Sequence, residues 1–420
     1  MSFTTLGLSE PLLRAIAERH YVAATPIQAR AIPAVLKGGD VWASAETGSG
    51  KTAAFALPLL QSLSETKGRD GRFARALILV PTRELAAQIS ASIDQYKRYL
   101  PQPIKTMAVF GGVSINPAMM ALGRGVDILI ATPGRLLDLI DHNAISLSSV
   151  QTLILDEADR LFSLGFADEL GRILGLLPRR RQNLLFSATF PEEVHAFAEK
   201  LLVNPLRIEI APNGESAPDI QERAIEVDAG RRTHLLRTLI KENTWTRALV
   251  FVATKYATEH VAEKLRKAGI PAEAFHGEMS QGARTRVLAD FKAERVRALI
   301  TTDLSSRGID IARLPVVVNY DLPRSPTDYT HRIGRTGRAG EPGVAVSFVS
   351  IDTDAHFRVI EKHNKLSLSR EVIAGFEPID EPMPVAHPGG GVKGKRMSKK
   401  DKLRAAAARE LKPSPPRRRF

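Results

Sequence analysis

Residues 45–52, Ala-Glu-Thr-Gly-Ser-Gly-Lys-Thr, carry the clearest chemistry in the chain. They follow a short apolar run at 40–44 and precede a helix-like run. They fit the phosphate-cradling pattern G-x-x-x-x-G-K-[ST], except that Ala45 adds one methyl group where the first glycine would stand. Gly48 and Gly50 would let the backbone N–H groups of Thr47 to Gly50, Ser49 included, turn toward phosphate oxygens. The following helix would present its positive end to the same anion. Lys51 would neutralise β- and γ-phosphate charge, and the Thr52 hydroxyl would ligate Mg²⁺. A glycine-rich turn with an incidental lysine would read the same way, so the loop needs an acidic counterpart.

Leu153-Ile-Leu-Asp156-Glu157-Ala-Asp159 supplies one, about 100 residues later. An apolar strand there would deliver two adjacent carboxylates at its end. Asp156 would bind Mg²⁺ through water, and Glu157 would orient and deprotonate an attacking water. Alone, such a segment is as easily a surface turn. Paired with the lysine loop, it points to a nucleoside triphosphatase.

These residues need rigid strands behind them. Short runs rich in Ile, Leu and Val recur at 76–80, 126–130, 152–155, 248–252, 298–300 and 316–318, each followed by a turn and a helix-like stretch. Nearly continuous apolar runs suit strands buried on both faces of a parallel sheet, and their alternation with helices implies a doubly wound α/β fold. Two echoes suggest duplication. Arg75-Ala-Leu-Ile-Leu-Val-Pro-Thr82 resembles Arg247-Ala-Leu-Val-Phe-Val-Ala-Thr254, and Ile128-Leu-Ile-Ala-Thr132 resembles Ala298-Leu-Ile-Thr-Thr302, at offsets of 172 and 170. Either match alone is cheap, because buried strands look alike. Two in order argue for two similar lobes, with ligands held by loops at the carboxyl ends of the strands. Gly and Pro cluster around 209–220, which reads as a linker. The expected units are a first lobe over 1–208, a linker over 209–219, a second lobe over 220–370 and a tail over 371–420.

The chain has 420 residues with no cysteine, which excludes a disulfide scaffold, a thiol nucleophile and Cys-ligated metal. No apolar run approaches a membrane span of about 18 residues, and the amino terminus lacks the basic and apolar regions of a signal peptide. A soluble, cytoplasmic protein is expected.

The ordered motifs identify a family: the sequence resembles the DEAD-box ATP-dependent RNA helicases over roughly residues 3–350. The residues that carry the resemblance are Thr25-Pro-Ile-Gln28, Ala45 to Thr52, Pro81-Thr-Arg-Glu-Leu85, Gly111-Gly112, Thr132-Pro-Gly-Arg135, Asp156-Glu-Ala-Asp159 and Ser187-Ala-Thr189. In the second half they are Thr301-Thr-Asp303 with Arg307-Gly-Ile-Asp310, and His331-Arg-Ile-Gly-Arg-Thr-Gly-Arg338. Phe110-Gly-Gly-Val-Ser-Ile-Asn-Pro117 and Ser280-Gln-Gly-Ala-Arg-Thr-Arg286 look most like the bacterial RhlE-type members. The resemblance implies two tandem RecA-like doubly wound parallel-sheet domains, with ATP and RNA bound across the cleft between them.

It also implies roles. Phe3 and Tyr21 would lie near adenine, with Thr25 and Gln28 reading its edge; Gln28 can donate and accept together. His20, Tyr21 and Ala24 replace the family's usual glycine, phenylalanine and proline, and a tyrosine still stacks, so adenine preference should survive. Arg335 and Arg338 match arginine fingers that would stabilise the transferring phosphoryl group from the second lobe. Asp310 would contact the nucleotide at the ribose. Asp303 and His331 would couple lobe closure to RNA, and Ser187 and Thr189 would link ATP state to strand separation. RNA contacts would come from Thr82, Arg83, Gly112, Thr132, Gly134 and Arg135 in the first lobe and from Arg284, Thr302 and Arg307 in the second. Such groups suit phosphate and sugar, so core binding should be independent of sequence. The expected activity is RNA-stimulated ATP hydrolysis that unwinds short duplexes or remodels ribonucleoproteins. The alternative is an ATP-gated RNA clamp or scaffold with little unwinding. Ribosome-assembly or RNA-decay proteins are the partners the resemblance suggests.

The formal net charge of +13 divides unevenly. Residues 1–210 hold 22 basic and 20 acidic side chains, residues 211–385 hold 25 and 24, and residues 386–420 hold 12 and 2. The last segment lacks apolar residues for a core and reads as a disordered basic arm. It should raise RNA affinity without specificity. Its deletion should flatten the salt dependence of RNA binding, which for single strands has a log–log slope of roughly −0.7 per neutralised phosphate.

Overall fold

Two seven-stranded parallel sheets organise the computed structural model, which describes residues 1–45, 48–66, 71–210, 219–243, 245–306, 314–337 and 342–379. The first sheet contains β1 (Val41–Ser44), β2 (Ala76–Leu79), β3 (Thr106–Val109), β4 (Ile128–Ala131), β5 (Thr152–Leu155), β6 (Gln182–Ser187) and β7 (Leu206–Glu209). The second contains β8 (Ile220–Glu226), β9 (Ala248–Phe251), β10 (Ala272–Phe275), β11 (Ala298–Thr301), β12 (Val316–Asn319), β13 (Gly343–Val349) and β14 (Arg370–Val372). Their orders are β3-β4-β2-β5-β6-β1-β7 and β10-β11-β9-β12-β13-β8-β14. Each strand of the first sheet therefore has a counterpart seven places later in the second. The echoed segments coincide with this pairing: β2 with β9, and β4 with β11.

Strands β2, β4, β5, β9, β11 and β12 are buried along their whole length. Successive side chains point to opposite faces, so one strand feeds two cores. Ile78, Ile130 and Ile154 pack with Phe55 and Leu60 on one face of the first sheet. Leu77, Leu129 and Leu153 pack with Leu136 and Leu161 on the other. Continuous apolar runs are thus what helices on both faces require. Because the strands are parallel, the loops after β1, β2, β4, β5 and β6 emerge on one edge of the sheet, where ligands of such folds bind.

The boundary expected at 370 is corrected. β14 pairs with β8, Arg370 opposite Ala224, and the Arg223 guanidinium forks onto the Glu371 carboxylate at 2.6–3.1 Å. Phe376 is buried against His234, and the Ile379 N–H donates to Asp228 at 3.0 Å. Residues 371–379 belong to the second lobe. A three-residue edge strand held by one ion pair and one aromatic ring is too short to register as a composition change. At the other boundary, the Ile210 N–H donates to Ser44 at 3.0 Å, continuing the β7 ladder. The basic segment 386–420 and most of the linker lie outside the described residues.

Candidate functional site

β1 runs between β6 and β7 and delivers the lysine loop. Gly48 and Gly50 have φ of +86° and +94°, in the left-handed region that favours glycine. A Cβ on Gly50 would lie 2.3 Å from Gln28 Nε2, so this position also needs glycine for close approach. Lys51 and Thr52 begin the helix Lys51–Ser64. Lys51 is buried, and its Nζ donates to the Ala45 carbonyl at 2.7 Å, folding the side chain back over its own loop. Thr47 lies outside the described residues, while Ser49 is within the turn.

The Gln28 amide ties this loop to the segment before it. Its Nε2 donates to the Gly50 carbonyl at 3.2 Å, and its Oε1 accepts the Thr25 N–H at 3.0 Å. One N–H and one lone pair of the amide are left over. Nearby, Phe3 and Tyr21 stack with centroids 6.4 Å apart and planes 24° apart. His20 has φ of +56°. It stands where the family's pattern has glycine, and this left-handed conformation is the physical reason for that preference.

β5 places Asp156 at its end, 3% exposed. Burial pushes its carboxyl up to about 7, against the opposing pull of the Lys51 charge and of the Glu157 N–H, which donates to Oδ1 at 3.0 Å. Glu157 has φ of +52°, an uncommon conformation for a non-glycine residue and one that re-aims the chain where the helix Ala158–Ser163 begins. Asp159 then joins β5 to the loop after β6. Its N–H donates to Ser187 Oγ at 3.1 Å, and its Oδ2 accepts the Thr189 hydroxyl and N–H at 2.7 and 3.2 Å. Ser187 Oγ in turn donates to the Thr189 carbonyl at 2.7 Å. Three residues from two motifs far apart in the sequence form one hydrogen-bonded unit.

A cavity of about 430 Å³ lies between the lobes. Thr82, Arg83, Thr132, Gly134 and Arg135 line it from the first lobe, and Arg284 from the second. Gly112 borders Arg83 so closely that a Cβ would come within 2.2 Å of its guanidinium, and its φ is +80°. Thr302 is one step back, its hydroxyl donating to Ser305, which lines the cavity. Arg135 is committed to its own lobe, donating to the carbonyls of Phe110 (3.1 Å) and Val113. Arg284 spans the gap: it meets the Glu84 carboxylate at 2.7 Å, donates to the His276 carbonyl at 3.1 Å and lies over the Phe275 ring. A second bridge joins the lobes where Arg160 meets Asp328 at 3.2 Å.

In the second lobe Asp303 accepts both Nε and Nη2 of Arg332, at 2.5 and 2.7 Å. Arg332 also donates to Asn319 Oδ1 and to the Asp321 carbonyl. The His331 Nδ1 is buried and makes no hydrogen bond among the described residues. Arg335 follows in the same turn, its N–H donating to the Arg332 carbonyl at 3.2 Å. Arg307, Asp310 and Arg338 lie outside the described residues.

The sequence profile of the DEAD/DEAH box helicases matches residues 25–197, and that of the helicase conserved C-terminal domain matches residues 231–340. The chain is 37% identical over 369 residues to a DEAD-box ATP-dependent RNA helicase CshA of Bacillus cereus, covering 88% of this chain and 69% of that protein. The chain belongs to the DEAD-box ATP-dependent RNA helicases. It is also 39% identical over 369 residues to an ATP-dependent RNA helicase DeaD of Buchnera aphidicola, covering 88% and 60% of the two chains. Among solved structures, S. cerevisiae Dbp5 bound to RNA and ADP BeF3 matches with a TM-score of 0.77 and 32% identity, over 88% of this chain and 95% of that one. These relatives carry neither the narrower RhlE-type likeness nor a contrary one.

Within this DEAD-box helicase, sequence reasoning missed three groups. Glu84 and Arg332 stand inside quoted motifs, yet nothing local reveals the partners that hold them. Phe166 and Gly277 in the cavity wall carry no motif at all. Arg160 directly follows Asp159, but Asp328 is 168 residues away. No helix among the described residues is long and apolar enough to cross a membrane.

Proposed function

We propose that this ATP-dependent RNA helicase hydrolyses ATP when RNA enters the cavity between its lobes, and that lobe closure bends one strand and opens short duplexes. The cavity carries the reading: it is walled by residues of both lobes, on the sheet edge that also presents Lys51 and Asp156. A ligand there is gripped fully only when the lobes are together.

ATP enters with adenine between the Phe3–Tyr21 pair and the free N–H and lone pair of Gln28. Lys51 exchanges the Ala45 carbonyl for β- and γ-phosphate oxygens, and the helix Lys51–Ser64 turns its positive end toward them. Mg²⁺ fits this site, because it needs only one or two protein oxygens beside phosphates and water. The buried Asp156 carboxylate and the Thr52 hydroxyl would hold it, and it would supply neutralising charge on the phosphates. Glu157 takes the proton of the attacking water, while Arg335 and Arg338 bring positive charge to the transferring phosphoryl group. Asp310 meets the ribose. The Asp159–Ser187–Thr189 unit and the Asp303–Arg332 pair beside His331 pass nucleotide state to the RNA groove. There, hydroxyls, guanidiniums and backbone amides meet phosphate and sugar, and the 2′-hydroxyl lets the groove prefer RNA over DNA. The reading places the chain in the cytoplasm, where RNA and ATP meet.

The test pairs ATPase and strand-displacement assays. Lys51→Ala should lose RNA-stimulated ATPase, and Glu157→Gln should bind ATP and RNA but hydrolyse poorly. Turnover at the wild-type rate in Lys51→Ala would overturn the assignment. ATPase without displacement of a short duplex would reduce the protein to an RNA clamp.

A further inference from the structure

We infer that Tyr256 is a stacking platform for an unpaired RNA base, placed just outside the interlobe cavity. The inference rests on the RNA reading of that cavity and extends it from the sugar–phosphate backbone to the bases.

The duplication of the lobes is the first argument. β2 and β9 are both third in their sheets. Each leads to a threonine of nearly identical conformation, Thr82 at φ −133°, ψ 155° and Thr254 at φ −135°, ψ 155°. Each threonine caps a helix by accepting an N–H three residues on, and each is followed by a basic residue, Arg83 or Lys255. In the first lobe Thr82, Arg83 and Glu84 line the cavity. Their counterparts in the second lobe are Thr254, Lys255 and Tyr256, all exposed. Where Glu84 is buried against Arg284, Tyr256 is 75% exposed.

The second argument is continuity with the cavity. Gly277 lines it, and the residues on either side of Gly277 bind the helix Lys255–Lys267, the counterpart of the helix Arg83–Tyr96 in the first lobe. Lys255 pairs with Glu278, and His276 Nε2 meets Glu259 at 2.9 Å. The first turn of this helix is thereby strapped to the cavity wall.

The third is the ring itself. Tyr256 stacks on His260 one turn along, with centroids 5.8 Å apart and planes 13° apart. The imidazole holds one face of the phenol ring and leaves the rest to solvent. The helix carries four basic and two acidic residues, so it does not repel a polyanion. An exposed, oriented aromatic ring beside a backbone-gripping groove is how single strands are bound without regard to sequence.

The test measures binding of fluorescent oligouridylates to the full chain with ADP and beryllium fluoride. Two lengths are compared, about six and about twelve nucleotides, the longer leaving more unpaired bases free to extend past the cavity. Tyr256→Ala should weaken the longer oligomer about tenfold, near the lower end of stacking losses, and the shorter by less than about twofold. Tyr256→Phe should bind both as the wild type does. Unchanged affinity of Tyr256→Ala for the longer oligomer, or an equal loss on both, would overturn the platform while leaving the cavity's role intact. A wild-type chain that bound neither oligomer would overturn the RNA reading and the platform together.

Discussion

Breaking the Arg160–Asp328 bridge should weaken RNA-stimulated turnover by hindering lobe closure. Arg160 sits in the helix that begins just after Glu157, and Asp328 in the helix Pro326–Ile333 that leads to Arg332 and Arg335. The charges meet at 3.2 Å with side chains 13% and 21% exposed. At an effective dielectric near 20, unit charges at about this distance attract by about 5 kcal/mol. Water stripped from both groups offsets most of that. Close charge pairs across interfaces retain about 1.5 kcal/mol or more of coupling. A net of about 1–2 kcal/mol corresponds to a five- to thirtyfold change in the closing equilibrium. Since RNA binds the closed form, its half-saturating concentration should rise by the same factor. ATPase titrations with RNA for Arg160→Ala, Asp328→Ala and the double variant form the cycle. Asp328 also accepts the Ser325 hydroxyl at 2.9 Å, so Ser325→Ala serves as the control for that contact. The double variant should be no worse than the poorer single variant, and the charge-swapped pair Arg160→Asp/Asp328→Arg should recover part of the loss. Single variants within twofold of wild type, or penalties that multiply in the double variant, would refute the reasoning.

Gly112→Ala should raise the RNA concentration needed for ATPase at least tenfold while leaving RNA-free ATPase unchanged, because the added Cβ meets the Arg83 guanidinium at 2.2 Å and φ is +80°; an unaltered RNA titration would contradict this. Asp156 gives the nucleotide-free chain a pH dependence. Its carboxyl is raised from 3.8 to about 7, so the folded chain keeps a proton that the unfolded chain has lost, and stability falls as pH rises through that window, by up to about 4 kcal/mol. Asp156→Asn should remove this component, so that between pH 5 and about 8 its melting temperature falls less than that of the wild type; parallel melting curves would refute it.

The motifs were legible because their chemistry is local. A phosphate loop needs its glycines and lysine within eight residues, and an acidic strand end needs its carboxylates side by side. The fold was legible for a related reason: strands buried on both faces must be apolar throughout, and β2, β4, β5, β9, β11 and β12 are. β14 escaped notice because Glu371 and Phe376 stabilise it through Arg223 and His234, nearly 150 residues earlier.

Residue identity by itself therefore determined the class of chemistry, the two-lobed α/β architecture and the order of the motifs along it. Tertiary structure alone decided which charges meet: Glu84 with Arg284, Arg160 with Asp328, and Asp303 with Arg332. Attraction between charges acts through a few ångströms of space, whereas spacing along the chain reports only neighbours in sequence. Tyr256 shows the same division. Its ring and its place two residues after the echoed Thr254 are plain in the sequence, but only the tertiary structure reveals that its counterpart Glu84 lines the cavity while Tyr256 itself is exposed.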